Sequence, residues 1–456
     1  MSSMLQSVYM IILNPIYRLT GKINEKARDV IIFIIFLLIF LYFAFYRSPV
    51  LNPPIYAVLP TQYEKQMFGC VMLILLTIIS VNRPLKRVEW RKSVFVPLFL
   101  LGLGMIITGF IHPIGAGYQA FGFMLVLLFP CLYFVWNNRQ DYDRLFTILI
   151  YAMIVANAVL FLLTVHYAFQ GHLSLEGSQR YAGIMSNSNC FSLIGLELVL
   201  GVMYLLITHK YSLILSILLY SAAGVGLGII LLGQMRIAFM ILLLCILSSM
   251  FFWVRNRGDS SRKNALIHLL VGAFFIVQMV LFSFFLVQID SAVFSSNHES
   301  TQGTTQQVST PQQSLGIIER FDTKGKDANS FSSGRIAIWG RYSKELNLLG
   351  NSFDEKKVME MTGVPYPFAH NVFFEVGYRC GVPVGALSVI IIIISGLLAM
   401  RYLLCGHNAK LYLLFPIISA ITYALEALLD CAFLPFFQAE AFCYYIAMMV
   451  FIDSRS

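Results

Sequence analysis

The sequence predicts an all-α polytopic membrane protein with about 12 transmembrane helices, on three observations. The 456 residues are 58% hydrophobic and only 12% charged, with a mean hydropathy of +0.75, a composition that a soluble fold of this length could not hide from water. Apolar runs of the roughly 17 to 25 residues needed to cross about 30 Å of hydrocarbon recur along the chain. The Lys and Arg residues between those runs alternate from dense to sparse, as they do when successive loops lie on opposite sides of a bilayer.

Twelve runs fit, in order Val30 to Tyr46, Met67 to Val81, Ser93 to Ile111, Tyr118 to Trp136, Leu145 to Phe169, Cys190 to Thr208, Ser212 to Leu232, Ile237 to Val254, Ala265 to Ile289, Pro383 to Met400, Leu411 to Leu429 and Phe436 to Ile452. The second and the last are short. Residues 1–29 precede them as a cytoplasmic basic leader without the small-residue pattern of a cleavage site, so the first span reads as a retained anchor. Residues 30–289 then hold spans one to nine, 290–381 one large extracytoplasmic loop, and 382–456 spans ten to twelve.

With the N-terminus in the cytoplasm, the inside segments hold nineteen of the 32 Lys and Arg residues, most densely in the leader, in NRPLKRVEWRK and in RNRGDSSRKN. The short outside loops hold four, Arg47, Lys65, Arg180 and Arg236, and the long loop the remaining nine. The net charge of +9 is therefore mostly a topology signal, and no nucleic-acid partner is expected. The 8 cysteines lie in or beside apolar runs with no CxxC or Cys/His cluster, the pattern of small buried hydrophobes rather than of disulfides or a zinc site.

The long loop starts with SSNHESTQGTTQQVSTPQQS, uncharged but for one Glu, which reads as a flexible tether. SSGRIAIWGRYSKELNLLG then sets Ile336, Trp339, Tyr342, Leu346 and Leu349 on one face of an amphipathic helix capped by Ser332 or Ser333, suited to lie at the headgroups or against the bundle. Pro365 and Pro367 break the chain, and a helix restarts at or near Asn371. No internal repeat is present, which argues against the inverted-repeat transporters. Gly224, Gly226 and Gly228 offer a small-residue face for close helix packing.

Alternation also assigns chemistry. Even-numbered spans run from outside to inside, so the N-termini of spans six, eight and ten face outward, and these are the ones preceded by Arg180, Arg236 and His370. A helix N-terminus exposes unpaired N–H groups and the positive end of its dipole, and an arginine beside it adds a forked donor suited to phosphate oxygens. In RYAGIMSNSN, Gly183, Asn187 and Asn189 provide a tight polar turn into span six with Arg180 facing the same anion. Each candidate has a plainer reading: the arginines as interfacial anchors, Asn187 or Asn189 as an N-cap, His370 as a structural hydrogen-bonder, and Glu375 with Arg379 as an i,i+4 pair. Glu197, Glu426 and Glu440 fall inside apolar spans, as functional groups or as internal polar contacts.

At these motifs the sequence resembles the superfamily of O-antigen ligases and Wzy-type polymerases, bacterial membrane glycosyltransferases. RYAGIMSNSN resembles the family's Arg-x-x-Gly block with its following Asn-Pro-Asn, Ser188 standing at the proline position. LLGQMRIAF resembles its Gly-Ser-Arg block, with Met235 in place of serine, which leaves Arg236 transferable. SGRIAIWGRY resembles the Gly-Arg block with its Trp, giving Gly334, Arg335 and Trp339. AHNVFFEVGYRCGVPVG is the closest of the four, with His370, Asn371, Glu375 and Gly381 placed as in the family and the closing glycine, Gly385, one residue late.

The resemblance covers about residues 180 to 390 and implies a GT-C-like membrane fold whose outer loop contains short amphipathic helices. It further implies an undecaprenyl-pyrophosphate-linked glycan donor, a sugar hydroxyl acceptor, and a site facing outward from the bacterial cytoplasmic membrane. Arg180 and Arg236 would hold the pyrophosphate with Arg335 as a third contact. His370 would act as general base and Asn371 would position the acceptor, with Asn187, Asn189, Gly183, Trp339 and Glu375 in the substrate-binding set. The long loop has no Asp-x-Asp, so neither cofactor nor metal is expected, and a chain-length regulator and a flippase are the expected protein partners. A polymerase of capsular or O-antigen repeat units leads the readings, beside a ligase, a protein O-oligosaccharyltransferase, a lipid-linked oligosaccharide flippase and a non-catalytic assembly subunit.

Overall fold

The computed structural model describes residues 2–48, 61–170, 174–176, 180–256, 262–299, 329, 332, 334–364, 368–405, 410–430 and 433–455. The chain is mostly helical. Its elements are α1 (Ser2–Thr20), α2 (Glu25–Arg47), α3 (Thr61–Ser80), α4 (Lys92–Ile111), α5 (Ala116–Phe123), running through a π turn at Met124–Leu128 into α6 (Phe129–Arg139), and α7 (Tyr142–Ala168). A hairpin of β1 (Ser174–Glu176) and β2 (Arg180–Gly183) precedes α8 (Ser188–Thr208), α9 (Leu213–Gly233), α10 (Arg236–Asn256) and α11 (Arg262–Glu299). Then come α12 (Arg335–Glu345), α13 (Glu355–Thr362), α14 (Val372–Cys380), α15 (Val382–Cys405), α16 (Leu414–Leu429) and α17 (Ala439–Ile452).

Every predicted apolar run carries a helix, yet among the described residues ten helices, not twelve, are long and apolar enough to cross a membrane. The two that fall short, Lys65–Ser80 and Ala439–Ile452, are the runs that already look short in the sequence. For α17 the reason is burial. All fourteen of its residues are covered by the rest of the protein, so its length is not tied to the thickness of hydrocarbon. The basic leader is also more than a tail, because α1 makes residues 2–20 helical. The ninth run continues past Ile289 to Glu299, drawing the start of the predicted tether into α11. The rest of that tether, residues 300–314, and both Pro365 and Pro367 lie outside the described residues.

The chain divides into two compact units, one of Met1–Ile35, Tyr56–Ile148 and Thr323–Ser456 and one of Phe36–Ile55 and Leu149–Asp322. In the first, α16 and α17 pack through aromatic rings, Tyr423 stacking on Tyr444 with centroids 3.9 Å apart. A hydroxyl buried at this depth needs a partner. Tyr423 and Tyr445 share one at 3.0 Å, Tyr444 meets Ser395 at 2.9 Å, and Tyr133 donates to the Tyr445 carbonyl at 2.6 Å.

The same unit ties together the helix ends that charge assigns to the inside. Arg28, fully buried, donates to the carbonyls of Thr20, Ile79 and Val81, while Arg139 reaches Ser80 O at 2.9 Å and Glu25 at 3.2 Å and Arg144 reaches Asp29. Trp90 bridges to Asp453, and Arg91 donates to Phe451 O. The starts of α2, α4 and α7 and the ends of α3, α6 and α17 therefore share one level, as alternation requires. Asp453 accepts from Gln140 at 2.5 Å, Tyr142 at 2.7 Å and Arg455 at 2.9 Å. Burial raises its pKa, and the donors, Arg455 first, outweigh that and hold the carboxylate below its ordinary range. Its stabilisation is thus complete at neutral pH and lost as the pH falls below about 4. Asp453→Asn is expected to lower stability at neutral pH by about 1–3 kcal/mol, and thermal melts should still differ from wild type at about pH 5 and converge with it only as the pH is taken well below about 4.

In the second unit α8 is the central helix, with 78% of its apolar window buried, against 22% for α11. The predicted glycine face divides in two. A Cβ on Gly226 would come 2.5 Å from the Gly195 carbonyl of α8, whereas one on Gly224 would come 2.7 Å from the Ile276 carbonyl of α11. Residues two apart on a helix point to different sides, so α9 is pinched between both neighbours.

Candidate functional site

In the first unit the candidate residues converge on the C-terminus of α16. A helix end leaves carbonyls without intrahelical partners and carries the negative pole of the dipole. Here side chains from two other elements supply the missing donors. Asn371 Nδ2 donates to Leu428 O at 2.8 Å, and Arg335, the first residue of α12, donates to Leu429 O. Asp430 follows as the C-cap, an acid where the dipole disfavours one, and it is answered by positive or donor groups. Its Oδ1 lies 2.9 Å from His370 Nδ1 and its Oδ2 lies 3.6 Å from Arg335 Nη2.

His370 sits at φ +52°, the left-handed region that a residue with a side chain rarely adopts, and such a conformation costs on the order of 1–3 kcal/mol. Contacts on both sides impose it. Asn371 caps α14 with Oδ1 accepting from Phe373 N at 2.9 Å and Phe374 N at 3.3 Å, as the sequence predicts for a helix restarting there. Ahead of His370, the Ala369 N–H is accepted by Glu375 Oε2 at 2.8 Å, and the Ala369 carbonyl accepts from Trp339 Nε1 at 2.8 Å. Trp339 also stacks on Phe374.

Glu375 is in turn held by Arg379 at 2.5 Å, and the Arg379 guanidinium lies over the Phe353 ring at 3.3 Å. Burial pulls the Arg379 pKa down, but the charge of Glu375 more than restores it, so the guanidinium stays charged. The i,i+4 pairing is present as read from the sequence. Its product is a rigid seat for the imidazole. The predicted apolar face of α12 is shifted: Ile338 and Tyr342 are buried with Val358 and Tyr378, while Ile336 and Leu349 are exposed. Gly334 at φ +82°, not a serine, is its N-cap, and Ser333 lies outside the described residues.

In the second unit Arg180 opens its hairpin strand and reaches two helix termini. Its Nε donates to Gly233 O, the last residue of α9, at 3.2 Å, and its Nη2 donates to Asn189 Oδ1, in the first turn of α8, at 2.5 Å. Asn187 caps α8 by accepting from Cys190 N at 2.9 Å. Gly183 turns the chain at φ +57°, and a Cβ there would come 2.6 Å from the Phe191 ring, so only glycine fits. Gln234, also left-handed, closes α9, and Arg236 opens α10, half-buried. Arg180 thus draws the N-terminus of α8 to the turn from which α10 starts, and two outward-read helix N-termini carry an arginine apiece.

Arg335, Trp339, His370, Asn371 and Glu375 belong to the first unit, and Arg180, Gly183, Asn187, Asn189 and Arg236 to the second. Asp430 is the one residue at the site that sequence reasoning passes over. The signal is present in the sequence, an acid at the end of the eleventh apolar run where a helix dipole repels it. Among the described residues no three His, Cys, Asp or Glu side chains gather as metal ligands. No family model, curated protein or solved structure matches the chain.

Proposed function

We propose that the chain is a membrane glycosyltransferase that joins polyprenyl-pyrophosphate-linked oligosaccharide units at the outer face of a bacterial cytoplasmic membrane. The observation that carries this reading is the His370–Asp430 contact at 2.9 Å, on a backbone that three side chains, Trp339, Glu375 and Asn371, hold in one conformation. With Nδ1–H donated to Asp430, the second ring nitrogen, Nε2, is left as the base. It takes the proton of the acceptor sugar hydroxyl as that oxygen bonds to the anomeric carbon of the donor. The bond from that carbon to the pyrophosphate breaks, its electron pair leaves with the lipid pyrophosphate, and the anomeric configuration inverts. On the resemblance, Arg180 and Arg236, each beside a helix N-terminus, are the groups that would hold the pyrophosphate as its charge grows. Arg335 steadies Asp430.

The transporter reading has one observation in its favour, Glu197 accepting from Asn157 at 2.8 Å inside the apolar spans α8 and α7. The glycan profile of a strain lacking the gene separates the readings. A polymerase leaves single repeat units on the final acceptor, and a ligase leaves long chains on the lipid carrier. A flippase leaves lipid-linked units on the cytoplasmic face, which would overturn the enzymatic proposal.

A further inference from the structure

The N-terminal helix α1 divides around its axis into three faces. Gln6, Tyr9, Leu13 and Thr20 are buried against the first unit. Met4, Val8, Ile11, Ile12 and Leu19 are exposed, Met4, Ile11 and Leu19 by more than 70% each, and with Pro15 they follow the i, i+4, i+7, i+8 spacing of one apolar stripe about 100° wide. Ser3, Ser7, Asn14 and Arg18 form a polar flank between the two.

The depth of the helix is fixed by its hydrogen bonds. Gln6 pairs with the backbone of Val88, Asn14 accepts from Leu85 N at 2.9 Å, and Arg87 donates to Ser7, so α1 runs along the connection between α3 and α4. That connection lies on the level where six helix ends meet. From the buried face, Tyr9 donates to Leu127 O, well inside the span that ends at Arg139. The helix therefore lies beside the spans at their charged end, with its stripe turned away from the rest of the unit.

The polar flank adds charge. Across α1, the turn after it and the 82–91 connection, Arg18, Lys22, Arg83, Lys86 and Arg87 are exposed against one exposed acid, Glu89. A groove of about 470 Å³ lined by Ser7, Met10, Ile11, Asn14, Pro15 and Arg18 joins the flank to the stripe, with donors at one edge and aliphatic groups at the other. We infer that α1 is an interfacial helix that binds anionic phospholipid, its stripe among the acyl chains and Arg18 with Arg87 at the lipid phosphate. Apolar insertion and headgroup attraction each contribute to such binding, and the cations set the preference for anionic lipid.

The experiment uses the full-length protein in nanodiscs of equal parts phosphatidylglycerol and phosphatidylcholine, with an indole introduced as Ile11→Trp or Ser3→Trp and the four native tryptophans as the measured background. Brominated acyl chains should quench the indole at position 11 and spare the one at position 3. Bromination of the phosphatidylglycerol should quench more than bromination of the phosphatidylcholine. Adding Arg18→Gln and Arg87→Gln, both at exposed side chains, should lower that lipid preference about tenfold while the indole at position 11 stays quenched. Absence of quenching at position 11 with either lipid would overturn the inference, pointing to a protein covering the stripe. Equal quenching by the two lipids in the otherwise unsubstituted chain would overturn the anionic preference.

Discussion

His370→Ala is expected to reduce glycan transfer by about 10²–10⁴-fold, the contribution of a positioned general base, with little change in the melting temperature. The imidazole is partly exposed and its removal leaves the caps of α14 and α16 in place, because those are made by Asn371 and Arg335. Asp430→Asn supplies the discriminating companion. It keeps the shape of the C-cap but can donate to Nδ1, which favours the tautomer with the proton on Nε2 and disables the base. Transfer should fall by a similar factor, with the loss on kcat while KM for the donor stays near wild type. If Asp430→Asn leaves kcat unchanged, the dyad is structural and the proposed role of His370 fails with it.

The second large effect is expected at Arg180. Arg180→Ala should lower transfer by about 10²–10³-fold, the range measured when one preorganised donor to a developing anion is removed elsewhere. Arg180→Lys retains the charge and should recover little. A single ammonium cannot reproduce the planar fork that reaches Gly233 O and Asn189 Oδ1 together. A steady-state comparison of kcat and KM for a lipid-pyrophosphate donor checks this, the loss falling on kcat. Full activity in the lysine variant would exclude the fork as the basis of leaving-group binding.

Much of this was legible in the sequence because hydrocarbon imposes simple rules. Run length and Lys/Arg alternation find the helices and group their ends, since backbone inside a bilayer must satisfy itself locally and cationic loops cross it poorly. The caps were legible too: Asn187 and Asn371 stand where a polar residue meets an apolar run, and a cap is a contact within four residues. What escaped were contacts between distant segments. Asp430 is 60 residues from His370, and no local pattern pairs them. The apolar face of α12 was misjudged because Ile336 and Ile338 both fit a period of 3.6 with Tyr342 or its neighbours. The choice between them belongs to Val358 and Tyr378, on other helices. The short α17 shows the same limit, since burial by neighbours, not composition, sets its length.

The left-handed backbone at His370 carries a consequence for any saturation library read out by surface expression instead of by activity. Glycine, at no steric cost, and asparagine, which tolerates this basin better than most, should accumulate at position 370 as well as or better than the native residue. Valine, isoleucine and threonine, whose branched Cβ collides with the backbone there, should be depleted. A position whose best-tolerated replacements are inert is one where chemistry, and not folding, selects the side chain.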